Sequence, residues 1–89
     1  MRNYLFFYFM RDARALVAKL AADHTKYWEK IKVQGGPFAD YSGGFISFRA
    51  ENLEQAISTI SHDPFFSSDL LSQYWIKEWI NREVDEDSS

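Results

Sequence analysis

The sequence predicts an α+β domain with the element order βαββαβ, and three observations support this order. Apolar and aromatic runs at residues 3–10, 45–50 and 70–80 have the length and composition of strands. Residues 13–31 and 51–60 carry apolar side chains at spacings of three and four, which indicates two amphipathic helices. Turn dipeptides follow these helices. We therefore predict a ferredoxin-like sandwich, in which two helices cover one face of an antiparallel sheet.

The first predicted strand is apolar on both of its faces. Alternation places Tyr4, Phe6, Tyr8 and Met10 on one face and Leu5, Phe7 and Phe9 on the other. The helices can cover only one face. The simplest cover for the second face is another copy of the chain, so we predict a homodimer through the open sheet face.

The first helix has a histidine among its apolar positions. The side chains predicted to face inward are Ala13, Leu16, Val17, Leu20, His24, Tyr27, Trp28 and Ile31. Asp23 could act as an N-cap, which predicts two helices with a kink near Ala22.

The middle of the chain contains a short strand, a turn and a longer strand. The sequence GGP, residues 35–37, ends helical structure, and a short strand is expected around residues 33–38. Residues 39–44 are predicted to form a loop before the strand at 45–50. The second helix follows, with Leu53, Ala56, Ile57 and Ile60 expected to face inward, and Asp63-Pro64 ends it.

The last predicted strand completes the sheet. Its side chains are expected to divide between one face with Trp75, Lys77 and Trp79 and another with Tyr74, Ile76 and Ile80. We predict a single domain over residues 1–82, followed by an acidic flexible tail at residues 83–89.

The composition argues against several function classes. The chain has 89 residues and no cysteine, so a disulfide framework or a thiolate zinc site is excluded. Two histidines without a metal-binding spacing give no metal site, and we expect no cofactor. A net charge of −3 argues against nucleic-acid and membrane partners. The lack of cysteine and of a membrane span favours a cytoplasmic location.

His24 and Asp63 are the candidate catalytic residues. His24 is either a core histidine or a general acid–base group, because imidazole titrates near neutral pH. Asp63 is either a helix-stop residue or a carboxylate that accepts the imidazole hydrogen and orients the ring. His62 is predicted to be a surface histidine, since adjacent residues point apart.

RNA-recognition motifs share the βαββαβ order and need separate consideration. Residues 41–48, YSGGFISF, match part of their third strand. However, the basic first position is Tyr41, and the stacking aromatic is replaced by Gly43. We therefore do not predict RNA binding.

Three segments together resemble the YCII-related domain family over most of the chain. They are HTKYWEKI at residues 24–31, GGPFAD with GGFISFRAENLEQA within residues 35–56, and DPFF at residues 63–66 before a strand that ends at Trp79. The resemblance implies a ferredoxin-like dimer, a dimeric α+β barrel whose sheets pack face to face. It also implies a cleft with a His–Asp pair, here His24 and Asp63, which Gly36 and Pro37 help to line.

The resemblance also implies the class of reaction. Most family members have no known reaction, but one related enzyme eliminates chloride from a chlorinated hydroquinone-type ring, and the broader fold includes lactone isomerases. Many members carry an arginine three residues before the histidine, where this chain has Ala21. Arg11 or Arg14 could replace that arginine spatially.

Two functions remain open. The first is a small cofactor-free enzyme that uses the His–Asp pair for elimination, dehydrochlorination or isomerisation of a small cyclic or aromatic compound. Its substrate-binding residues would be Tyr27, Trp28, Gly36, Pro37, Tyr41, Ser42 and Phe65. The second is a non-catalytic dimeric ligand-binding or accessory protein that keeps the polar pair for stability. A monooxygenase function has only the shared topology in its favour.

Overall fold

The structure is a computed structural model that describes residues 1–82, so the predicted acidic tail at 83–89 lies outside the described residues. Seven elements follow one another along the chain: β1 (Arg2–Met10), α1 (Arg14–Glu29), β2 (Lys32–Pro37), β3 (Gly43–Ala50), α2 (Leu53–Ser61), α3 (Pro64–Ser67) and β4 (Leu71–Trp79). None of the helices in the described part is long and apolar enough to cross a membrane.

The four strands form one antiparallel sheet in the order β2-β3-β1-β4. The central strand β1 pairs with β3 and β4, and β2 pairs with the outer edge of β3. Because the two crossover connections each contain a helix, the predicted ferredoxin-like α+β fold is confirmed. The short helix α3 was not predicted. It forms because Asp63 caps its N-terminus and Pro64 occupies its first position.

The core lies between the sheet and the helices. The buried apolar side chains of β1 and β3 face the helices: Tyr4, Phe6, Tyr8, Ile46, Phe48 and Ala50. Trp28 of α1 packs on Phe6 and Phe48, with ring centroids 6.2 and 5.3 Å apart, respectively. Ala56, Ile60 and Phe65 complete the core from the α2–α3 side. This side of the sheet also carries the candidate site.

The first helix differs from its prediction in two respects. It is continuous from Arg14 to Glu29, so the predicted kink near Ala22 and the N-cap at Asp23 are wrong. The consecutive alanines at positions 21 and 22 favour an uninterrupted helix. Leu16 was expected to face inward but is exposed. The apolar side chains of α1 occupy a wider stripe of the helix surface than the sheet covers.

The second helix presents only two apolar residues to the core. Ala56 and Ile60 are buried, whereas Leu53 is 51% exposed and Ile57 is 48% exposed. The prediction that all four face inward is therefore wrong for the latter two. A helix of nine residues contacts β3 and α3 along one narrow stripe. Asn52 begins the helix by accepting a hydrogen bond from the Gln55 amide, with a donor–acceptor distance of 2.8 Å.

The open face of the sheet is aromatic. Phe7 stacks on Trp75 with ring centroids 5.1 Å apart, and Phe9 contacts both Trp75 and Phe38. Tyr74 instead contacts Phe6 on the helix side. The predicted division of β4 between two faces is therefore confirmed at these positions.

Candidate active site

The candidate site is centred on the imidazole of His24. His24 lies on α1 on the side that faces the sheet, and its side chain is 13% exposed. Its Nδ1 atom lies 2.7 Å from Oδ1 of Asp63. Because an ionised carboxylate only accepts hydrogen bonds, Nδ1 carries the hydrogen and donates it to Asp63. This leaves Nε2 as the nitrogen that can accept a proton.

Asp63 is fixed from both its backbone and its side chain. Its amide donates to the Ile60 carbonyl, and its Oδ1 accepts a hydrogen bond from the Phe65 amide at 3.0 Å. The side chain is fully buried, and Oδ2 has no hydrogen-bond partner among the described residues. Asp63 thus caps α3 and also accepts a hydrogen bond from His24. It therefore has both of the roles considered from the sequence, that of a helix-stop residue and that of a carboxylate partner of the imidazole.

Phe65 holds the plane of the imidazole. Its ring stacks on His24 with centroids 4.0 Å apart and an angle of 11° between the planes. Asp63 and Phe65 belong to the same helix start, two residues apart. One short segment therefore fixes both the edge and the face of the imidazole.

Tyr8 of β1 contacts the opposite edge of His24. Its hydroxyl oxygen lies 3.2 Å from Nε2, and with neutral imidazole the hydroxyl donates to Nε2. Burial, and secondly the charge of Asp63, raise the pKa of the Tyr8 phenol well above its ordinary value. Gly44 leaves room for this phenol, since a Cβ at Gly44 would lie 2.9 Å from the Tyr8 hydroxyl.

These side chains border a cavity of about 410 Å³ between α1 and the sheet. Its lining residues are Tyr8, Met10, Val17, Ala21, His24, Thr25, Trp28, Lys32, Gly35, Gly36, Pro37, Tyr41, Gly43, Ile46 and Phe65. Most of this wall is apolar, and a few polar groups converge on His24. Such a wall suits a small flat molecule with a few polar substituents.

The structure brings most of the predicted site residues together. His24, Trp28, Gly36, Pro37, Tyr41 and Phe65 all line the cavity, and Asp63 lies behind His24. Tyr27 does not line it, because its hydroxyl donates to the Thr59 carbonyl at 2.5 Å. Ser42 lines a neighbouring cavity together with Arg11 and Arg14. Neither arginine reaches the wall around His24.

Three polar lining residues were missed by the sequence analysis: Tyr8, Thr25 and Lys32. Tyr8 was placed on the same strand face as Phe6 but not in the site, because both faces of this strand are apolar and the sequence did not indicate which of them the helices cover. Lys32 directly follows the helical pattern, and its place in the wall depends on the pairing of β2 with β3. Within residues 1–82 there is no group of three His, Asp or Glu side chains suited to a metal ion.

Tyr41 stands at the mouth of the cavity in an unusual backbone conformation. Its φ is 59°, and its side chain is largely exposed. Asp40 organises this turn by accepting hydrogen bonds from the Ser42 hydroxyl at 2.7 Å and the Ser42 amide at 3.0 Å. These bonds lower the pKa of the Asp40 carboxyl.

Comparison with known protein families agrees with this geometry. The profile of the YCII-related domain matches residues 1–80, which is nearly the whole chain. The chain belongs to the YCII-related family. No curated protein sequence matches this YCII-related domain.

Two solved structures share the fold of this YCII-related domain. One is the 5-chloro-2-hydroxyhydroquinone dehydrochlorinase TftG from Burkholderia phenoliruptrix AC1100, in complex with 2,5-dihydroxybenzoquinone. It is 22% identical, with a TM-score of 0.76, and the match covers 88% of this chain and 93% of TftG. The other is protein Atu4242 from Agrobacterium tumefaciens, 12% identical, with a TM-score of 0.54 and coverage of 96% and 97%. At these identities the likeness establishes the fold.

Proposed function

We propose that this YCII-related domain is a small cofactor-free enzyme that transfers protons on a small cyclic or aromatic compound, with His24 and Asp63 as its catalytic pair. The observation that carries the proposal is the imidazole itself. His24 lines the cavity while its Nδ1 is held 2.7 Å from a buried carboxylate. A base that is reachable by a ligand and oriented by a carboxylate is the arrangement that acid–base catalysis requires.

The reaction class follows from what the pair can do. Nε2 would accept a proton from the substrate, and the Asp63 carboxylate would stabilise the resulting imidazolium. In an elimination, the released electron pair forms a new double bond while chloride or hydroxide leaves with its bonding electrons. In an isomerisation, the imidazolium returns the proton at another atom. Neither reaction needs an oxidant or a reductant.

The fold relative TftG supports elimination as the first reaction to test. That protein is a dehydrochlorinase and binds a dihydroxylated ring, a ligand that a cavity of about 410 Å³ accommodates. In this chain Phe65, Trp28 and Pro37 supply apolar wall, and Tyr8 could donate to a ring oxygen once the ligand replaces it at Nε2.

The test is anaerobic chloride release from 5-chloro-2-hydroxyhydroquinone, together with ring proton exchange in D₂O followed by NMR. We expect both rates to exceed those in buffer and to fall about 10²- to 10⁴-fold in His24→Asn. His62→Asn is the matched control, since His62 is exposed, does not line the cavity, and has its Nδ1 hydrogen-bonded to the Ser58 carbonyl. Equal rates in wild type and His24→Asn would contradict the proposal.

A non-catalytic ligand-binding or accessory role is the second candidate, and one contact favours it. The Tyr8 hydroxyl is hydrogen-bonded to Nε2 of His24. The chain of hydrogen bonds from Tyr8 through His24 to Asp63 therefore gives each of these three polar side chains a partner inside the protein, which by itself favours stability. Under this alternative, ring compounds would bind to the wild type without turnover. His24→Asn would then lower stability and leave the affinity for the ring compound largely unchanged.

We also propose that two copies pair through the open sheet face. The side chains there are Leu5, Phe7, Phe9, Phe45, Trp75 and Trp79, and both tryptophans are 39% exposed. An aromatic face of this extent is typical of an interface. Analytical ultracentrifugation should give a dimer for the wild type and a monomer for Trp75→Lys.

A further inference from the structure

Lys32 lies on the cavity side of the sheet because of a β-bulge. In β2 the register shifts between Lys32 and Gln34, so that Lys32 pairs with Phe48 and Gly35 pairs with Ile46. Directly opposed residues share a face, and both partners belong to the buried helix-facing side. In a regular strand, residues 32 and 35 would point to opposite faces. The bulge at Val33 therefore places Lys32 and Gly35 on the same side as Tyr8.

The ammonium group of Lys32 keeps hydrogen-bonding capacity. Nζ makes one long contact, 3.5 Å, with the Gly35 carbonyl oxygen, and Gly35 also lines the cavity. Among residues 1–82 no carboxylate forms an ion pair with Lys32. Since an ammonium has three donors, at least two remain for a ligand.

Gly35 keeps the wall beside Lys32 free of side-chain atoms. A Cβ at this position would overlap the Phe45 carbonyl oxygen, so a larger residue is sterically excluded. The cavity wall beside Lys32 is therefore formed by backbone atoms at this position.

The described side chains of the cavity wall carry positive charge and no negative charge. Of the described residues that line it, Lys32 is the one with a permanent charge, and none is a carboxylic acid. The carboxylate of Asp63 lies behind His24 and is fully buried. An anionic group in the cavity would therefore meet a cation, whereas a cationic group would meet no opposing charge in the wall.

We propose that Lys32 is the anion-binding residue of this cavity and that its ligand is a flat ring compound with a negatively charged oxygen. The inference deepens the proposed function and rests on it, because it takes the same cavity as the substrate site. Proton removal by His24 transfers negative charge to a ring oxygen. Lys32 would stabilise that charge in the bound ligand and as it develops.

The test compares two ring compounds of the same shape, 2,5-dihydroxybenzoate and 2,5-dihydroxybenzamide, by calorimetric titration. We expect the wild type to bind the benzoate about fivefold more tightly than the benzamide, the size of one partly screened ion pair. Lys32→Met should abolish this preference and leave the affinity for the benzamide unchanged, which also shows that the variant folds. Lys32→Arg should retain the preference, and added salt should reduce it.

Lys30→Met is the matched control, because Lys30 is exposed, lies two residues away and is absent from the cavity wall. An unchanged preference in Lys32→Met, or a preference lost equally in Lys30→Met, would overturn the inference. Equal binding of both compounds to the wild type would overturn it while leaving the proposed function intact. Binding of neither compound would contradict both. A lysine-dependent preference without turnover would instead contradict only the enzyme proposal.

Discussion

The hydroxyl oxygen of Tyr8 lies 3.2 Å from Nε2 of His24, on the edge of the imidazole opposite Asp63. Both ring nitrogens of His24 are therefore hydrogen-bonded to other side chains of the protein. A phenol whose pKa is raised by burial keeps its proton, so Tyr8 acts as a hydrogen-bond donor, and under the proposed function a substrate hydroxyl would replace it at Nε2. Replacing one neutral hydroxyl by another at Nε2 has a small net cost.

The buried carboxylate of Asp63 is expected to stabilise the folded protein. Asp63→Ala removes the acceptor of both the His24 and the Phe65 hydrogen bonds and leaves two buried donors unsatisfied. We expect the free energy of unfolding to fall by about 3 kcal/mol, measured by urea denaturation. Asp69→Asn, at an exposed carboxylate paired with Arg11, should change it by less than about 0.5 kcal/mol. Equal effects would contradict the buried pair.

The tautomer of His24 gives a direct test of the same pair. Because Nδ1 donates to Asp63, the neutral imidazole should be protonated at Nδ1 in wild type. Long-range ¹H–¹⁵N NMR distinguishes the two nitrogens. In Asp63→Leu, which lacks an acceptor, the Nε2-protonated form should increase. A wild-type His24 protonated at Nε2 would show that the hydrogen bond to Asp63 does not exist.

Tyr8 predicts a loss of stability in alkaline solution. Burial and the charge of Asp63 raise the folded-state pKa of Tyr8 above the unfolded value of about 10. The unfolded chain therefore releases this proton first, so the stabilisation is fully present below about pH 10 and is lost as the pH rises toward the folded value. Between about pH 9 and 11, wild type should lose more free energy of unfolding than Tyr8→Phe. Parallel pH profiles would contradict the shift, since Tyr27 is common to both proteins.

The positive φ of Tyr41 predicts that a smaller residue stabilises the protein. Asparagine tolerates a φ of 59° better than tyrosine does, and the largely exposed Tyr41 ring has little packing to lose. Tyr41→Asn should raise the free energy of unfolding by about 1 kcal/mol in urea denaturation. Tyr41→Phe keeps the same backbone requirement and should leave stability unchanged. A destabilised asparagine variant would show that the ring has a packing role.

The two isoleucines of α2 should respond differently to truncation. Ile60 is fully buried, so Ile60→Ala should cost about 2–5 kcal/mol through the lost packing and the cavity that remains. Ile57 is about half exposed, and alanine is the better helix former, so Ile57→Ala should change stability by less than about 1 kcal/mol. Thermal denaturation of both variants measures the contrast. Similar losses would mean that Ile57 is covered in solution, as it would be by a partner.

The sequence by itself determined the elements and their order. Strand alternation and helical spacing are local properties, which is why the βαββαβ order and the two faces of β4 could be predicted from single segments. His24 and Asp63 could be singled out, but their contact could not be derived from spacing because they lie 39 positions apart in the sequence. The family resemblance supplied that pairing before the structure showed it.

Tertiary structure decided which of these residues meet and which apolar positions are covered. The exposure of Leu53 and Ile57, the contact of Tyr8 with His24 and the separation of Tyr27 from the cavity all depend on how the helices lie on the sheet. The place of Lys32 depends on a bulge that shifts one strand against its neighbour. Local sequence limits the conformation of each segment, whereas burial and hydrogen bonding between distant segments are settled only when all of them pack together.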